Sequence, residues 1–475
     1  MESRVSIPVT LPRANPTISY WQDPPADIAN LRSTTELPRN ADIVIVGSGI
    51  SGAAIAYQTL MRAPGTKIVM LEARQTCSGA TGRNGGHTKA ASYRTFVGNV
   101  NAVGLEEAIK MARLEYNNII ATHEFASKNK IPCDNRLCNT ADVIYDRDRW
   151  AEAMQAIELM RKTMPNDPTS KYEVWDSKQT KEKFHCDGAM GAVSYLAGSL
   201  SAYQFVIGVL RICLRNGLNL QTTTPAKKIQ KATDDGSWII ETDRGLITCS
   251  KVVMATNGYT AALHPSLQGV IVPLRGQITA HRPGSNMPKG GLSNTYSFIH
   301  ANGYEYMIPR PPGSKFAGDI VIGGGLVKAP EEGLYQYGNT DDTVLDPAIS
   351  KYLYQTTETY FGQNWGSDDP AGRIRKEWTG IMGFSADGYP LVGEMPGQPG
   401  LFISASFQGH GMVLCFQCAK ALTDIMLGEK QSISSWFPKT FHVSRDRLAK
   451  RFSKKLHEEP VYGQINHKTS AVSKL

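Results

Sequence analysis

Residues 43 to 46 read Ile-Val-Ile-Val, an unbroken β-branched run of the kind found in strands covered on both faces. The run stops at Gly47-Ser-Gly49-Ile50-Ser51-Gly52, and the Ala-rich stretch behind it, to Leu60, is predicted to be helical. Lys67 to Leu71 repeats the strand pattern and ends at Glu72. Further strands are expected over Ile239 to Thr242, over Lys251 onward with a sharp turn to Tyr259, and over Gly400 to Ala405. The last of these leads into SFQGHGMVLCFQCAKALTDIMLG, a second glycine-led entry to a helix. Residues 101 to 185 carry helical periodicity, as in LEEAIKMARLEYNNIIATHEFA and RWAEAMQAIELMRK. Residues 266 to 345 are strand-like and turn-rich instead, and no internal repeat is present.

The first strand, turn and helix form a dinucleotide fingerprint. Gly47 permits the tight turn, Gly49 lets the backbone approach a pyrophosphate, and Gly52 lets helix and strand pack closely. Ile50 and Ser51 open the helix, whose N-terminus offers N–H groups to phosphate. Glu72, 20 residues after Gly52 and followed by Ala73 and Arg74, stands where an acid accepts hydrogen bonds from a ribose. A lone glycine motif is weak evidence, but strand, helix, second strand and acid all fall in register here. The motif alone does not choose between NAD and FAD. The expected fold class is α/β, a Rossmann-type domain interleaved with an α+β domain built on an antiparallel sheet. The expected division is an extension over 1–39, a discontinuous cofactor domain over 40–100, 190–265 and 370–430, a substrate domain over 101–189 and 266–369, and a tail over 431–475.

Composition narrows the class. The 475 residues are 41% apolar and 20% charged, ordinary globular usage, and no stretch is apolar enough for a membrane span. No secretory signal is read at the start. The net charge of +8 lies largely in VSRDRLAKRFSKKL, which is expected to be a solvated surface helix, since no nucleic-acid motif accompanies it. The eight cysteines show no framework spacing, and Cys415 and Cys418 are expected as reduced core thiols on one helix rather than ligands of a metal. The chain closes Ser473-Lys474-Leu475, the address read by the peroxisomal import receptor, so a peroxisomal location is expected.

The combination VIVGSGISG with Glu72, GATGRNGGH, MATNGY, the strand Tyr304 to Pro309 before IVIGGG, and WTGIMGFSADGYPLVG with FQGHGM resembles the D-amino-acid oxidase superfamily of FAD enzymes. Glycine oxidase and sarcosine oxidase are members. GRNGG and Ser19-Tyr20-Trp21 look most like the γ-glutamylputrescine oxidase-like amine oxidoreductases. The resemblance implies an extended FAD with its ring buried between the domains. It implies that Gly79, Ala80, Thr81, Arg83, Asn84, Gly85, Gly86 and His87 continue the cradle toward that ring. It further implies Ala226, near Lys227, at the adenine, Thr256, Asn257 and Gly258 at the turn, and Gly409, His410, Gly411 and Met412 at the pyrimidine end. Two departures stand out. No cysteine precedes the DGYPLVG stretch, so FAD is expected to be noncovalent. Where relatives carry a cation for a substrate carboxylate, this chain has Met382 and Val413.

The implied reaction is oxidation of a small-molecule amine, primary, secondary or cyclic. Hydride passes to flavin N5, the imine hydrolyses, and O2 is reduced to H2O2. The alternative is a dehydrogenase of an amino acid or biosynthetic intermediate that uses another acceptor. Such chemistry needs a deprotonated amine and a positive group near the ring. His410 suits either role or plain ring packing. Arg83 is a fixed cation or a structural partner, Tyr304 and Tyr306 are expected on the substrate wall, and the role of His87 stays open.

Overall fold

The computed structural model describes residues 1–233, 236–453 and 455. Its first sheet has eight strands. Leu391–Glu394, Leu401–Ala405, Gly245–Met254, Asn40–Val46, Ile68–Leu71 and Asn219–Gln221 lie in that order, with Trp238–Thr242 and Ala226–Lys231 as a side ribbon. Asn40–Val46 is central and parallel to both neighbours, with Val46 opposite Leu71 on one side and Met254 on the other. Its last four residues are buried, as the unbroken β-branched run requires. The helices Ile50–Arg62, Ala202–Arg215 and Cys415–Met426 share one apolar core with one face of this sheet.

The second sheet has nine strands, and Ile271–His281 and Ile374–Ser385 pair along almost their whole length. It is antiparallel apart from Thr295–Ile299, which runs parallel to Arg136–Ile144. The helices Leu105–Lys128 and Arg147–Thr163 occur where the periodicity placed them. Cys415 and Cys418 are buried free thiols on one helix.

Some boundaries differ from those expected. Gly191–Ser199 and Ile374–Ser385 fell inside the expected cofactor blocks, yet both belong to the second sheet, as does the short strand His87–Thr88. Apolar patterning identifies a strand but not the sheet it joins, and these strands are fixed by distant pairing. The described part of the basic tail is also not one continuous solvated helix. Among its described residues helix is confined to Arg445–Ala449, where Arg447 turns inward to Asp387 at 2.8 Å and to the carbonyls of Tyr389 and Pro390. Ser473 to Leu475 lie outside the described residues. Among the described residues, no helix is long and apolar enough to cross a membrane.

Candidate active site

A cavity of about 410 Å³ runs between the two sheets and is walled by both. At one end are Glu72, Ala73, Ala226 and Leu263; at the other are His87, Lys89, Arg94, Tyr304 and His410.

The Glu72 end follows from the first strand and its turn. Gly47 has φ +109°, and a Cβ there would stand 2.5 Å from the Ala255 carbonyl oxygen. A Cβ on Gly52 would stand 2.0 Å from the Gly47 carbonyl oxygen, so the helix packs as close as glycine allows. Gly49 caps the helix without a side chain, and the Ile50 N–H donates to Thr81 Oγ1 at 3.1 Å. The Glu72 carboxylate accepts from the Ser48 hydroxyl at 2.6 Å and from the Arg74 backbone N–H at 2.9 Å. It is thereby held rigid at the strand end.

Arg74 and Arg83 flank the middle of the cavity. Arg74 Nη1 is paired with Asp342 at 2.9 Å, and Arg83 Nε lies 3.7 Å from the same carboxylate. Arg83 also donates to the Ser78 and Thr379 carbonyls, both at 2.8 Å. Burial lowers its pKa to about 10, opposed by Asp342. The Tyr259 hydroxyl and Arg74 Nε are buried here with no protein hydrogen-bond partner. Two guanidinium groups, a helix N-terminus whose cap residue has no side chain and these two unsatisfied polar atoms suit a pyrophosphate. With the Glu72 carboxylate at one end, the donor set fits an extended dinucleotide.

The other expected residues divide into wall and support. Ile50, Ser51, Gly79, Ala80, Thr81, Asn84, Gly85, Thr256, Asn257, Gly409, Gly411 and Met412 line the cavity. Gly52, Gly86 and Gly258 do not; they stand behind it, where Gly86 faces the Leu200 carbonyl and Gly258 the Met382 carbonyl. Asn257 Oδ1 accepts from the Ser406 N–H at 3.0 Å and so ties the turn to the second glycine-led segment. That segment passes through a 3-10 turn at Gly411–Val413 before its helix starts at Cys415. Lys227 points away and pairs with Asp243.

At the far end, His87 Nε2 lies 2.7 Å from Thr295 Oγ1, and burial holds the imidazole well below its usual pKa. His410 Nδ1 is 3.3 Å from the Gln408 carbonyl, and burial lowers its pKa to about 4. Both imidazoles are therefore neutral at pH 7. Tyr304 and Tyr306 both reach the wall, as residues of one parity on a strand do. Tyr306 lies against Gly85, and the Arg94 guanidinium sits 4.5 Å from the Tyr304 ring centre.

Sequence reasoning missed the cations of this end. Lys89 Nζ pairs with Asp142 and donates to Ser297 Oγ. Burial lowers the Lys89 pKa to about 8 despite Asp142, and Arg94 adds to the fall. Asp142 inside the apolar run Thr-Ala-Asp-Val-Ile was the available signal, because a buried carboxylate demands a partner.

A family model described as DAO, FAD dependent oxidoreductase, matches residues 42–425. The chain belongs to this family and is an FAD-dependent oxidoreductase. It is 24% identical over 405 residues to the probable oxidoreductase OrdL of Rhizobium meliloti (strain 1021), covering 83% of this chain and 85% of the relative. It is 20% identical over 400 residues to the gamma-glutamylputrescine oxidoreductase of Escherichia coli (strain K12), with the same coverage. Among solved structures, glycine oxidase from Geobacillus kaustophilus superposes with a TM-score of 0.69 at 17% identity, over 86% of this chain and 99% of that one. At that identity the likeness concerns the fold alone.

Proposed function

We propose that this protein is an oxidase of a small-molecule amine, with O2 as electron acceptor and H2O2 as product. The observation that carries the reading is the state of Lys89. An amine that ordinarily titrates at 10.5 falls to about 8 at this end of the cavity, even beside a carboxylate. A substrate amine entering this end of the cavity meets the same burial, so its neutral form is favoured. Bound FAD supplies the two-electron acceptor for the carbon next to that nitrogen.

The residues of the chain bind and orient. Neutral His410 and His87 can exchange hydrogen bonds with the amine without adding charge. Tyr304 and Tyr306 provide the facing wall. Met382 and Val413, which line the cavity where a carboxylate cation was expected, leave the reacting carbon in apolar surroundings. An acid group on the substrate would find its cation at Lys89 or Arg94, away from those positions. This favours an amine, or a substrate whose acid group is remote, over a simple α-amino acid. The relation to a gamma-glutamylputrescine oxidoreductase supports the same class. FAD is held without a cysteinyl bond in this reading, and Ser473-Lys474-Leu475 directs the enzyme to the peroxisome through the import receptor.

The test is anaerobic bleaching of the bound flavin by primary, N-methyl and cyclic amines and by amino acids of both hands. Peroxide is then assayed in air. Bleaching by amines with peroxide formation is expected. Bleaching only by free α-amino acids would sink the substrate class, and bleaching without oxygen uptake would favour the dehydrogenase alternative.

A further inference from the structure

Residues 9 to 22 precede the stretch matched by the family model, yet they reach the cofactor half of the cavity and the residues that build it. Leu11 and Pro12 line it. Leu11 packs on the apolar cluster that holds Val46, Leu71, Ala226 and Leu263, which surrounds the Glu72 end. The Arg13 carbonyl accepts from Arg74 Nη1 at 3.1 Å, while its guanidinium pairs with Asp341 at 2.7 Å. The Thr17 N–H donates to the Asp342 carbonyl at 2.8 Å, and the Asp342 carboxylate is the one that holds Arg74 and approaches Arg83. Ser19 Oγ donates to the Gly82 carbonyl at 2.7 Å, and the Trp21 indole N–H to the Asn84 carbonyl. Trp21 is fixed in turn beneath Arg310, 4.8 Å from its ring centre. One extended segment thus touches the adenosine end, both guanidinium groups and the glycine-rich loop.

We infer that residues 9 to 22 are a clasp that retains FAD: Leu11 and Pro12 wall its adenosine end, while Ser19 and Trp21 pin the Gly82–Asn84 loop over the remainder. A cofactor enclosed this way cannot leave until the segment lifts. Thr17, Ser19 and Trp21 all donate to backbone carbonyls, those of Asp342, Gly82 and Asn84, so the hold of the clasp depends on their joint geometry rather than on one ion pair. The two halves of the clasp make separable demands. Opening the Leu11–Pro12 wall should weaken whatever carries an adenosine. Freeing the loop should speed the release of any flavin.

The test is a full-length Leu11→Gly/Pro12→Gly variant, with FAD and FMN titrated into the apoprotein and FAD release from the holoprotein followed by recovery of flavin fluorescence. FAD affinity is expected to fall at least about tenfold while FMN affinity, which involves no adenosine, stays within about twofold. Unchanged FAD affinity, or equal loss for both flavins, overturns the wall. Ser19→Ala supplies a second variant with the wall intact, and carries the test if the double variant does not fold. Its holoprotein should release FAD about three to ten times faster at an unchanged melting temperature of the apoprotein. A release rate equal to that of the parent protein overturns the clasp.

Discussion

Lys89 and Asp142 form an ion pair beneath the far wall of the cavity, and Asp142 receives two more hydrogen bonds, from Tyr93 at 2.8 Å and Tyr195 at 2.9 Å. Asp142 is fully buried, and Lys89 is the cation paired with it, while Arg94 also acts on it. Lys89→Met removes that cation and leaves a carboxylate in the core. Loss of one partner of a buried pair costs about 3 to 5 kcal/mol. Lys89→Met/Asp142→Asn removes both charges and should recover at least half of that. Urea unfolding of the three proteins at pH 7 checks the claim. A double variant no more stable than Lys89→Met would mean that the pair is not the source of the loss.

The cofactor half of the site was largely legible because it is local. Strand, turn, helix and acid occupy consecutive residues, and Gly52 is required by the Gly47 carbonyl within that unit, although Gly47 itself faces the distant Ala255 carbonyl. The substrate half was less so. Lys89, Arg94, Asp142, Ser297 and Tyr304 come from four separate segments that meet only through the second sheet. No spacing rule joins them. Arg83 stood out as a cation on a glycine loop, but sequence did not indicate that the Ser78 and Thr379 carbonyls and Asp342 would engage it.

Gly52→Ala tests the closeness of the first helix to its strand. The added methyl would lie 2.0 Å from the Gly47 carbonyl oxygen and 3.4 Å from Ile45 Cγ2. Neither backbone can yield without moving the glycine turn. Overpacking of this kind costs about 1 to 3 kcal/mol or more, and the shifted turn should weaken FAD binding by at least about tenfold. Flavin retained per chain after gel filtration reports the second effect, and thermal unfolding of the apoprotein the first.

Four histidines make the fold acid-sensitive, His123 and His281 fully buried and His87 and His410 on the cavity wall. Burial lowers His123 and His410 to about 4 and His281 to about 3, and holds His87 well below 6.5. The unfolded chain takes up these protons near pH 6.5, whereas the folded chain resists them. The stabilisation is therefore complete above about pH 6.5 and is lost as pH falls toward 4. A gap of 2.5 units is worth about 3 kcal/mol for one group. Unfolding free energy should drop by at least about 3 kcal/mol between pH 7 and pH 5. A flat profile across that range would show that these imidazoles titrate normally.

Lys89 gives the opposite kind of titration, inside the working range of the site. Its folded pKa of about 8 means that it is charged at pH 7 and largely neutral at pH 9. Asp142 and the Ser297 hydroxyl contact it directly, and Arg94, His87 and His410 act on it or feel it through space. Arg94 stays charged throughout this range, because its pKa is raised by Asp142 and Tyr304 against the cost of burial. If an acid group of the ligand rests against these two cations, its affinity must fall as pH rises through 8, but only in part. A small carboxylate such as benzoate, titrated against the flavin spectrum of the holoenzyme, should bind about three to ten times more weakly at pH 9 than at pH 7. The Lys89→Met/Asp142→Asn protein should bind it weakly at both values, with the pH dependence gone. Equal affinity of the parent enzyme at pH 7 and pH 9 would place the ligand away from Lys89, and the remote acid group would then have to be sought at Arg94 alone.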